Sequence, residues 1–418
     1  MPLDYSQVWK KLEANVSKFK EFDKDLNKEL NALKKASGDI FKKSYNDIIN
    51  ALNNMTGSTG ARPSREYKNG LLVKFNSQFN NLKEMVAWAV NILENKVCIG
   101  TDGSQIYAPP EINMPIGLVQ VVCFINEHNQ SKNSYKEDRE IRILAPKDLL
   151  YERVDKKTGS TIVSIGEEPV NAMRYKIETD LLTKYLDMYH NKQPKISNIY
   201  AITDGSLVLS FLQRMSPDTQ NTYYAALKDA LKKSKHTKHP LIGYVDSSAA
   251  KDVVDMLKKL DKTIPKDTRY ISDAYILENY ITQSQGLNYT MNWGDRTCAF
   301  ICDRQDGIYD EIYPDKIGKK YCKIAFFYIK LSSAIMARVE FPAWTLREPG
   351  MVENIANIMR AESAIGSGYP YTIDKCHHLA VIKGQERLKF LRLFQKFGKQ
   401  NNIKIGIKNK AKSKLVRI

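Results

Sequence analysis

Two apolar runs in this chain end in the same tripeptide. Val97-Cys98-Ile99-Gly100-Thr101 leads into Asp102-Gly103-Ser104, and Ile199-Tyr200-Ala201-Ile202-Thr203 leads into Asp204-Gly205-Ser206. Short runs of this kind, bounded by turn residues, read as strands buried in a sheet. A strand that closes on Asp, Gly and Ser carries its acid to the sheet edge, and two such strands bring two carboxylates together. That pair is a ligand set for a hard divalent cation. The glycine after each aspartate frees the backbone to turn or to approach a ligand closely, although Asp-Gly is also an ordinary turn dipeptide.

The segments around these runs set the fold class. Strands are expected in succession over 97–102, 116–125 and 140–144. Ala172, Met173, Ile177, Leu181, Leu182, Tyr185 and Leu186 recur at helical spacing and predict a helix over 170–189. A strand over 198–204, helices over 207–215 and 222–233, a strand over 241–246 and a helix over 249–260 follow. The first three strands form a meander, and the later two add in parallel through helical crossovers. This is the order of the ribonuclease H-like fold: α/β, a mixed sheet flanked by helices. Further strands near 298–302, 323–330 and 334–341, a helix over 352–363 and one long helix from 373 to 397 complete the chain.

Ahead of this core, Leu12, Val16, Phe19, Phe22, Leu26, Leu30 and Leu33 recur at spacings of three and four within a helical region over 5–55. The stripe is close to a heptad seam, so a coiled-coil-like N-terminal extension is expected, as a hairpin on the main domain or as a dimer contact. Residues 53–65, rich in Gly, Ser, Thr and Asn, read as a linker, and a helix is expected over 76–95. The expected organisation is a helical extension over 1–60, a main domain over 61–395 and a basic tail over 396–418.

The chain carries a formal net charge of +17, and from Lys383 onward twelve Lys or Arg face a single acid, Glu386. Such an excess attracts polyanions, with a membrane surface as the lesser option. No run approaches the length of a membrane span. Met1-Pro2-Leu3-Asp4-Tyr5 has no basic segment leading into an apolar one, which argues for a cytoplasmic protein. Cys98, Cys123, Cys298, Cys302, Cys322 and Cys376 form no CxxC pair and read as buried thiols in a reducing compartment, so no zinc site is expected.

A third metal ligand is sought on the helix between the two Asp strands. Arg174 and Glu178 share one face there at i, i+4. Glu178 is the candidate, and a surface ion pair with Arg174 is the competing use. Arg338 and Glu340 alternate along a late strand and so face the same side; a buried Glu340 must be paired or coordinated, with Arg338 the obvious neighbour. Of His377 and His378, either can offer an imidazole as a ligand or a proton shuttle. Tyr107, Trp293, Trp344, Tyr369 and Tyr371 can stack on unpaired bases or pack in the core. A basic chain holding an acid cluster points to phosphodiester chemistry.

These motifs also carry a resemblance. TDGSQI at 101–106, VNAMRYKIE at 170–178, TDGSLV at 203–208, RVEFPAW at 338–344 and YPYTIDKCHHLAVI at 369–382 resemble, in that order, the NurA nuclease family. LIGYVDSS at 241–248 and GDRTCAFICDR at 294–304 are similar more loosely. The resemblance implies a manganese-dependent nuclease with a ribonuclease H-like core. It would act on single-stranded DNA and duplex ends in DNA repair, as a homodimer working with a HerA-type hexameric translocase. By motif it assigns catalytic roles to Asp102, Glu178, Asp204, Glu340 and His377. Asp102, Glu178, Asp204 and His377 would hold Mn2+ or Mg2+, two ions in all, while Arg174 and Arg338 would meet DNA phosphates. The chain departs from the pattern at Asp246-Ser247, where a lysine is more usual, at Thr372, where a second proline is typical, and at His378, where an acid is common. Other readings are a catalytically inactive nucleic-acid-binding or translocase-adaptor module, or another ribonuclease H-like nuclease, structure-specific or RNA-directed.

Overall fold

The computed structural model describes residues 3–109, 112–129, 134–154, 159–192, 198–265, 270–284, 291–304, 324–333 and 335–406. The basic tail from 407 onward and Cys322 lie outside the described residues. Helices α1 (Tyr5–Glu13), α2 (Val16–Ile40) and α3 (Tyr45–Asn53) come first, then short strands β1 (Gly60–Pro63) and β2 (Leu72–Val73). Helix α4 (Leu82–Leu93) leads into β3 (Val97–Ile106), β4 (Gly117–Asn126), β5 (Tyr135–Leu144), β6 (Leu150–Val154) and β7 (Thr161–Ile165). Helix α5 (Glu168–His190), β8 (Ile199–Asp204), α6 (Pro217–Thr237), β9 (Leu241–Val245), α7 (Asp252–Leu260) and α8 (Asp273–Ser284) follow. Strands β10 (Arg296–Thr297), β11 (Phe300–Asp303), β12 (Ile324–Ile329) and β13 (Ala337–Pro342) precede α9 (Met351–Ile365), α10 (Tyr371–Ala380) and α11 (Gly384–Gln400). Among the described residues no helix is long and apolar enough to cross a membrane.

The chain forms two compact units. One takes Met1–Asn76, Asp246–Gln305 and Ala325–Arg338; the other takes Ser77–Val245 and the described residues from Val339 on. In the first unit the N-terminal region is three helices, not one. Asp4 accepts the Ser6 and Gln7 N–H groups to start α1, and Ser44 accepts the Asp47 N–H to start α3. The apolar stripe divides: Leu30 and Leu33 are buried, where α2 packs on α7 and α8, whereas Leu12, Val16, Phe19 and Phe22 stay exposed. The expected linker over 53–65 holds a strand instead, because β1 pairs antiparallel with β11 and Arg62 meets Asp303 across the pair at 2.7 Å.

The first unit also buries charge. Asp252 accepts from Arg338 Nη1 at 2.7 Å and from Arg304 Nη2 at 2.9 Å. Tyr328 donates to Asp273 at 3.1 Å, and Arg338 lies 3.8 Å from the same carboxylate and 3.7 Å from the Phe326 ring centre. Burial would raise the Asp252 carboxyl, but Arg338 and Arg304 outweigh it and hold the pKa below the usual value. Asp273 goes the other way, pushed up to about 7 by burial and by the Asp252 charge. Such a network survives only when every member is paired.

The second unit is a mixed α/β layer structure with strand order β13-β9-β8-β3-β4-β5. β3, β4 and β5 form the antiparallel meander, and β8 and β9 add in parallel, β3 to β8 and β8 to β9. Helices cover both faces. A Cβ at Gly100 would meet Thr372 and Cys376 of α10, and one at Gly103, of opposite parity along β3, would meet Arg174 and Glu178 of α5. The α5 positions read as apolar from their spacing, Ala172, Ile177, Leu181, Leu182, Tyr185 and Leu186, are buried. This mixed sheet flanked by helices is consistent with the ribonuclease H-like class.

Several elements differ from expectation for identifiable reasons. β3 does not stop at Asp102. Its parallel pairing with β8 ends at Thr101 opposite Thr203, but its antiparallel pairing with β4 runs on to Ile106 opposite Leu118. The segment 207–215 makes only a short 3-10 turn, Ser210–Arg214. The expected long helix over 373–397 is two helices, because Val381 and Lys383 leave helical geometry and Ile382 N–H is claimed by Ser104 Oγ at 3.2 Å. β6 and β7 form a separate hairpin that no periodicity suggested.

Replacing Asp252 by Ala strips the counter-charge from Arg338 and Arg304. Unfolding in urea should then show a loss of about 3–5 kcal/mol; a loss below ~1 kcal/mol would mean that water or another carboxylate already satisfies these guanidinium groups.

Candidate metal centre

The parallel register of β3 and β8 decides where the acids fall. Thr101 is opposite Thr203, so Asp102 and Asp204 follow side by side where the two strands part. The chain around α10 then adds two side chains. His377 Nδ1 lies 2.9 Å from Asp102 Oδ2, and Tyr369 donates its hydroxyl to Asp204 Oδ1 at 2.8 Å. The His377 side chain is 62% exposed while that of Asp102 is only 14% exposed, so the imidazole forms the solvent side of the pair. His378 turns back to its own helix, with Nδ1 2.9 Å from the Asp374 carbonyl. The structure thus brings His377, and not His378, to the Asp102 carboxylate.

Glu178 reaches the same edge from α5 across Gly103. A Cβ at position 103 would stand 2.7 Å from Glu178 Oε1 and 2.7 Å from Arg174 Cγ, closer than any real contact, so only glycine leaves the passage open. The two glycines of the repeated tripeptide therefore do different work. Gly103 sits in regular strand and clears space, whereas Gly205 has φ of +132°, a conformation that side chains rarely adopt, and lets the chain turn after Asp204.

The electrostatics follow from this crowding. Glu178 is pushed up to about 8, first by burial and then by the Asp102 and Asp204 charges, with Arg174 pulling it back only in part. Its i, i+4 contact with Arg174 is loose, Nε to Oε1 3.5 Å, and neither atom has a hydrogen-bond partner among the described residues. Arg174 instead donates Nη1 to the Gly103 carbonyl at 3.2 Å and to Gln105 Oε1 at 3.3 Å. Asp204 is also raised, by desolvation first, with the Tyr369 hydroxyl opposing and Asp102 adding to the rise. The three carboxylates feel one another's charge, and Glu178 keeps an oxygen without a hydrogen-bond partner, but no three of Asp102, Glu178, Asp204 and His377 bring their ligand atoms within 4.8 Å of one another.

Two other sequence candidates have different surroundings. Glu340 is 1% exposed, and its Oε2 accepts from Leu207 N–H at 2.6 Å, Ser206 Oγ at 2.9 Å and Val208 N–H at 3.3 Å. It fastens the loop that leaves Asp204. Arg338 is 1% exposed and spent on Asp252 within the first unit, so its guanidinium is not offered to a phosphate. Alternation along the strand predicted only which side Arg338 faces, not the aspartate waiting there.

Sequence reading assigned Tyr369 to base stacking or the core and missed its bond to Asp204. It also missed a second group. Ligand atoms of Cys98, His128 and Glu362 all lie within 4.8 Å of one another, which gives the chain the capacity for one metal ion. Cysteine spacing could not reveal it, because the three residues come from remote parts of the chain.

No curated protein matches the chain. Among solved structures it is similar to the C-terminal lobe of a budding yeast Argonaute, at 11% identity and a TM-score of 0.29, over 70% of this chain and 48% of that one. It is also similar to Kluyveromyces polysporus Argonaute with a guide RNA, at 11% identity and a TM-score of 0.28, over 70% of this chain and 27% of that one. The chain thus spans less than half of either Argonaute chain. The model of the NurA domain matches residues 96–382. That match takes in most of the chain, from the strand of Asp102 through the helix of Glu178 to His377, and the chain belongs to the NurA family.

Proposed function

We propose that this protein is a metal-dependent DNA nuclease, hydrolysing phosphodiester bonds in single-stranded DNA and at duplex ends. In this reading Asp102, Glu178, Asp204 and His377 hold the Mn2+ or Mg2+ of the reaction, two ions in all. The observation that carries it is the largely buried Glu178 carboxyl, brought over Gly103 toward Asp102 and Asp204 with its charge incompletely balanced. NurA membership supports the coarser statement of a metal-dependent nuclease. Family membership also supports a HerA-type translocase as partner, a homodimer, a cytoplasmic location and a place in DNA repair.

When bound, a divalent cation supplies Lewis-acid stabilisation of the phosphoryl oxygens and a more acidic attacking water. The chain's own groups do the rest. With Nδ1–H donated in a hydrogen bond to Asp102, His377 keeps the Nε2 lone pair, which would be free to ligate a cation. Tyr369 holds Asp204, and Glu340 holds the loop behind it. Arg174, fixed on Gly103 and Gln105 and partly open to solvent, adds positive charge where a phosphate would lie. The net charge of +17 favours any polyanion and makes binding salt-dependent.

Asp102→Asn and Asp204→Asn should each lower Mn2+-dependent cleavage of labelled single-stranded DNA by more than about a hundredfold, the loss that even an outer-shell partner can cause. Binding of the same DNA should persist. Wild-type protein that binds DNA but never cuts it with Mn2+ or Mg2+ would instead be an adaptor.

Gly103→Ala should fold, since the clash is with flexible side-chain ends, but should displace Glu178. Cleavage should fall roughly tenfold and need more Mn2+ for half activation, the scale expected for a disturbed ligand shell. An unchanged Mn2+ titration would place Glu178 outside the ligand set.

Glu178 also predicts a pH effect in EDTA. Between its ordinary value of 4.5 and about 8, the unfolded chain has released a proton that the folded chain keeps, so stability declines as pH rises through that window. Glu178→Gln removes this slope. Its melting temperature should match wild type near pH 4 and exceed it above pH 8, by several degrees if the penalty reaches a few kcal/mol. Equal melting at both pH values would show that the carboxyl is not held under strain.

A further inference from the structure

Four residues before Asp102 on β3, Cys98 meets two side chains from elsewhere in the second unit. His128 lies just past β4, with its backbone at φ of +43°, and Glu362 comes from α9. The chain holds this unusual backbone with two bonds. His128 N–H donates to Asn126 Oδ1 at 3.0 Å, and Asn95 N–H donates to the His128 carbonyl at 3.0 Å. The ring is oriented as well, because Nδ1 lies 2.9 Å from the Lys96 carbonyl. A carbonyl only accepts, so Nδ1 carries the proton and Nε2 of a neutral ring carries a lone pair.

That lone pair lies opposite another acceptor. Glu362 is fully buried; its Oε2 accepts the Thr372 N–H at 2.6 Å, while Oε1 is 3.6 Å from His128 Nε2. Oε1 meets no N–H or O–H donor among the described residues, and its polar neighbours are the imidazole and the Cys98 thiol. The Cys98 thiol, also fully buried, faces the same Glu362 carboxylate. A cation between sulfur, imidazole and carboxylate would answer all of these at once.

We propose that Cys98, His128 and Glu362 bind a zinc ion, distinct from the ions of the reaction, that fastens α9 and the end of β4 to β3. The donor chemistry selects the metal. One thiolate, one imidazole and one carboxylate suit zinc, whereas Mg2+ and Mn2+ favour oxygen ligands. An imidazole whose other nitrogen donates to a backbone carbonyl is the usual second-shell support of a ligating histidine. Three protein ligands leave a fourth position for water. The role is structural, because Glu362 also grips Thr372 in the first turn of α10, the helix that carries His377. Zinc would thus set the position of α10 from its far side.

The proposal does not rest on the nuclease reading, and its test reads metal rather than cleavage. Full-length protein is stripped with EDTA, titrated with Zn2+ against a chromophoric chelator, and its metal content measured by mass spectrometry. About one equivalent should bind and raise the melting temperature. Co2+ in its place should give a thiolate charge-transfer band in the near ultraviolet with tetrahedral visible bands. Cys98→Ser and His128→Gln should each weaken Zn2+ binding at least a hundredfold, and Cys98→Ser should remove the thiolate band. If Cys98→Ser does not fold, the partly exposed His128 still carries the test. Asp102→Asn should leave the zinc equivalent intact, which separates this site from the acid cluster. No bound zinc, a cobalt spectrum without a thiolate band, or undiminished binding in His128→Gln would each overturn it.

Discussion

Parallel pairing of β3 with β8 puts two aspartates beside each other, and mutual repulsion would drive them apart if the strands were free to slip. They are not free. A one-residue shift would put side chains where Gly100 and Gly103 now make room for α10 and α5, and β3 is paired with β4 from Cys98 to Ile106. The sheet core therefore holds like charges together, and the raised carboxyls of Glu178 and Asp204 reflect burial first and that repulsion second. Glu178 depends on the same geometry, since its route to the edge exists only where Gly103 thins the strand.

Much of this was legible in sequence because it is local or periodic. The Ile and Val runs marked β3, β4, β8 and β9, and the apolar spacing from Ala172 to Leu186 marked α5, while Glu178 stayed open between a ligand and a surface ion pair. What escaped was set by partners remote in sequence. β1 sat inside an apparent linker because its pairing strand lies near residue 300. Arg338 looked like a neighbour for Glu340 or a phosphate contact, but its match is Asp252, on a helix that no strand periodicity could place. The helix break after Ala380 was hidden because Val381-Ile382-Lys383 contains neither Gly nor Pro; a serine on β3 ends the helix by taking an N–H.

The two clusters on β3 sort by the softness of their donors. Asp102, on the same side of the strand as Cys98, belongs to an all-oxygen set joined by one imidazole, while Cys98 belongs to a set with sulfur. A single strand can carry both because a pleated strand moves successive same-face residues well apart, on the order of 13 Å over four positions. If both proposed sites are filled, that spacing would keep a hard ion and a borderline ion from competing for the same ligands.

Ser104, the last residue of the first tripeptide, has a mechanical consequence. Its hydroxyl receives the Ile382 N–H, and Gln120, its register partner on β4, donates to the Ala380 carbonyl at 3.0 Å. The C-terminal end of α10 is thereby bolted to two strands just past Asp102, with His377 about one turn, ~5.4 Å, from the bolt. The other end is held too, where Thr372 N–H donates to Glu362 at 2.6 Å, so α10 is fixed at both termini. The ring thus travels with the strand that bears its aspartate, so flexing of the sheet would carry both together and leave their separation nearly constant.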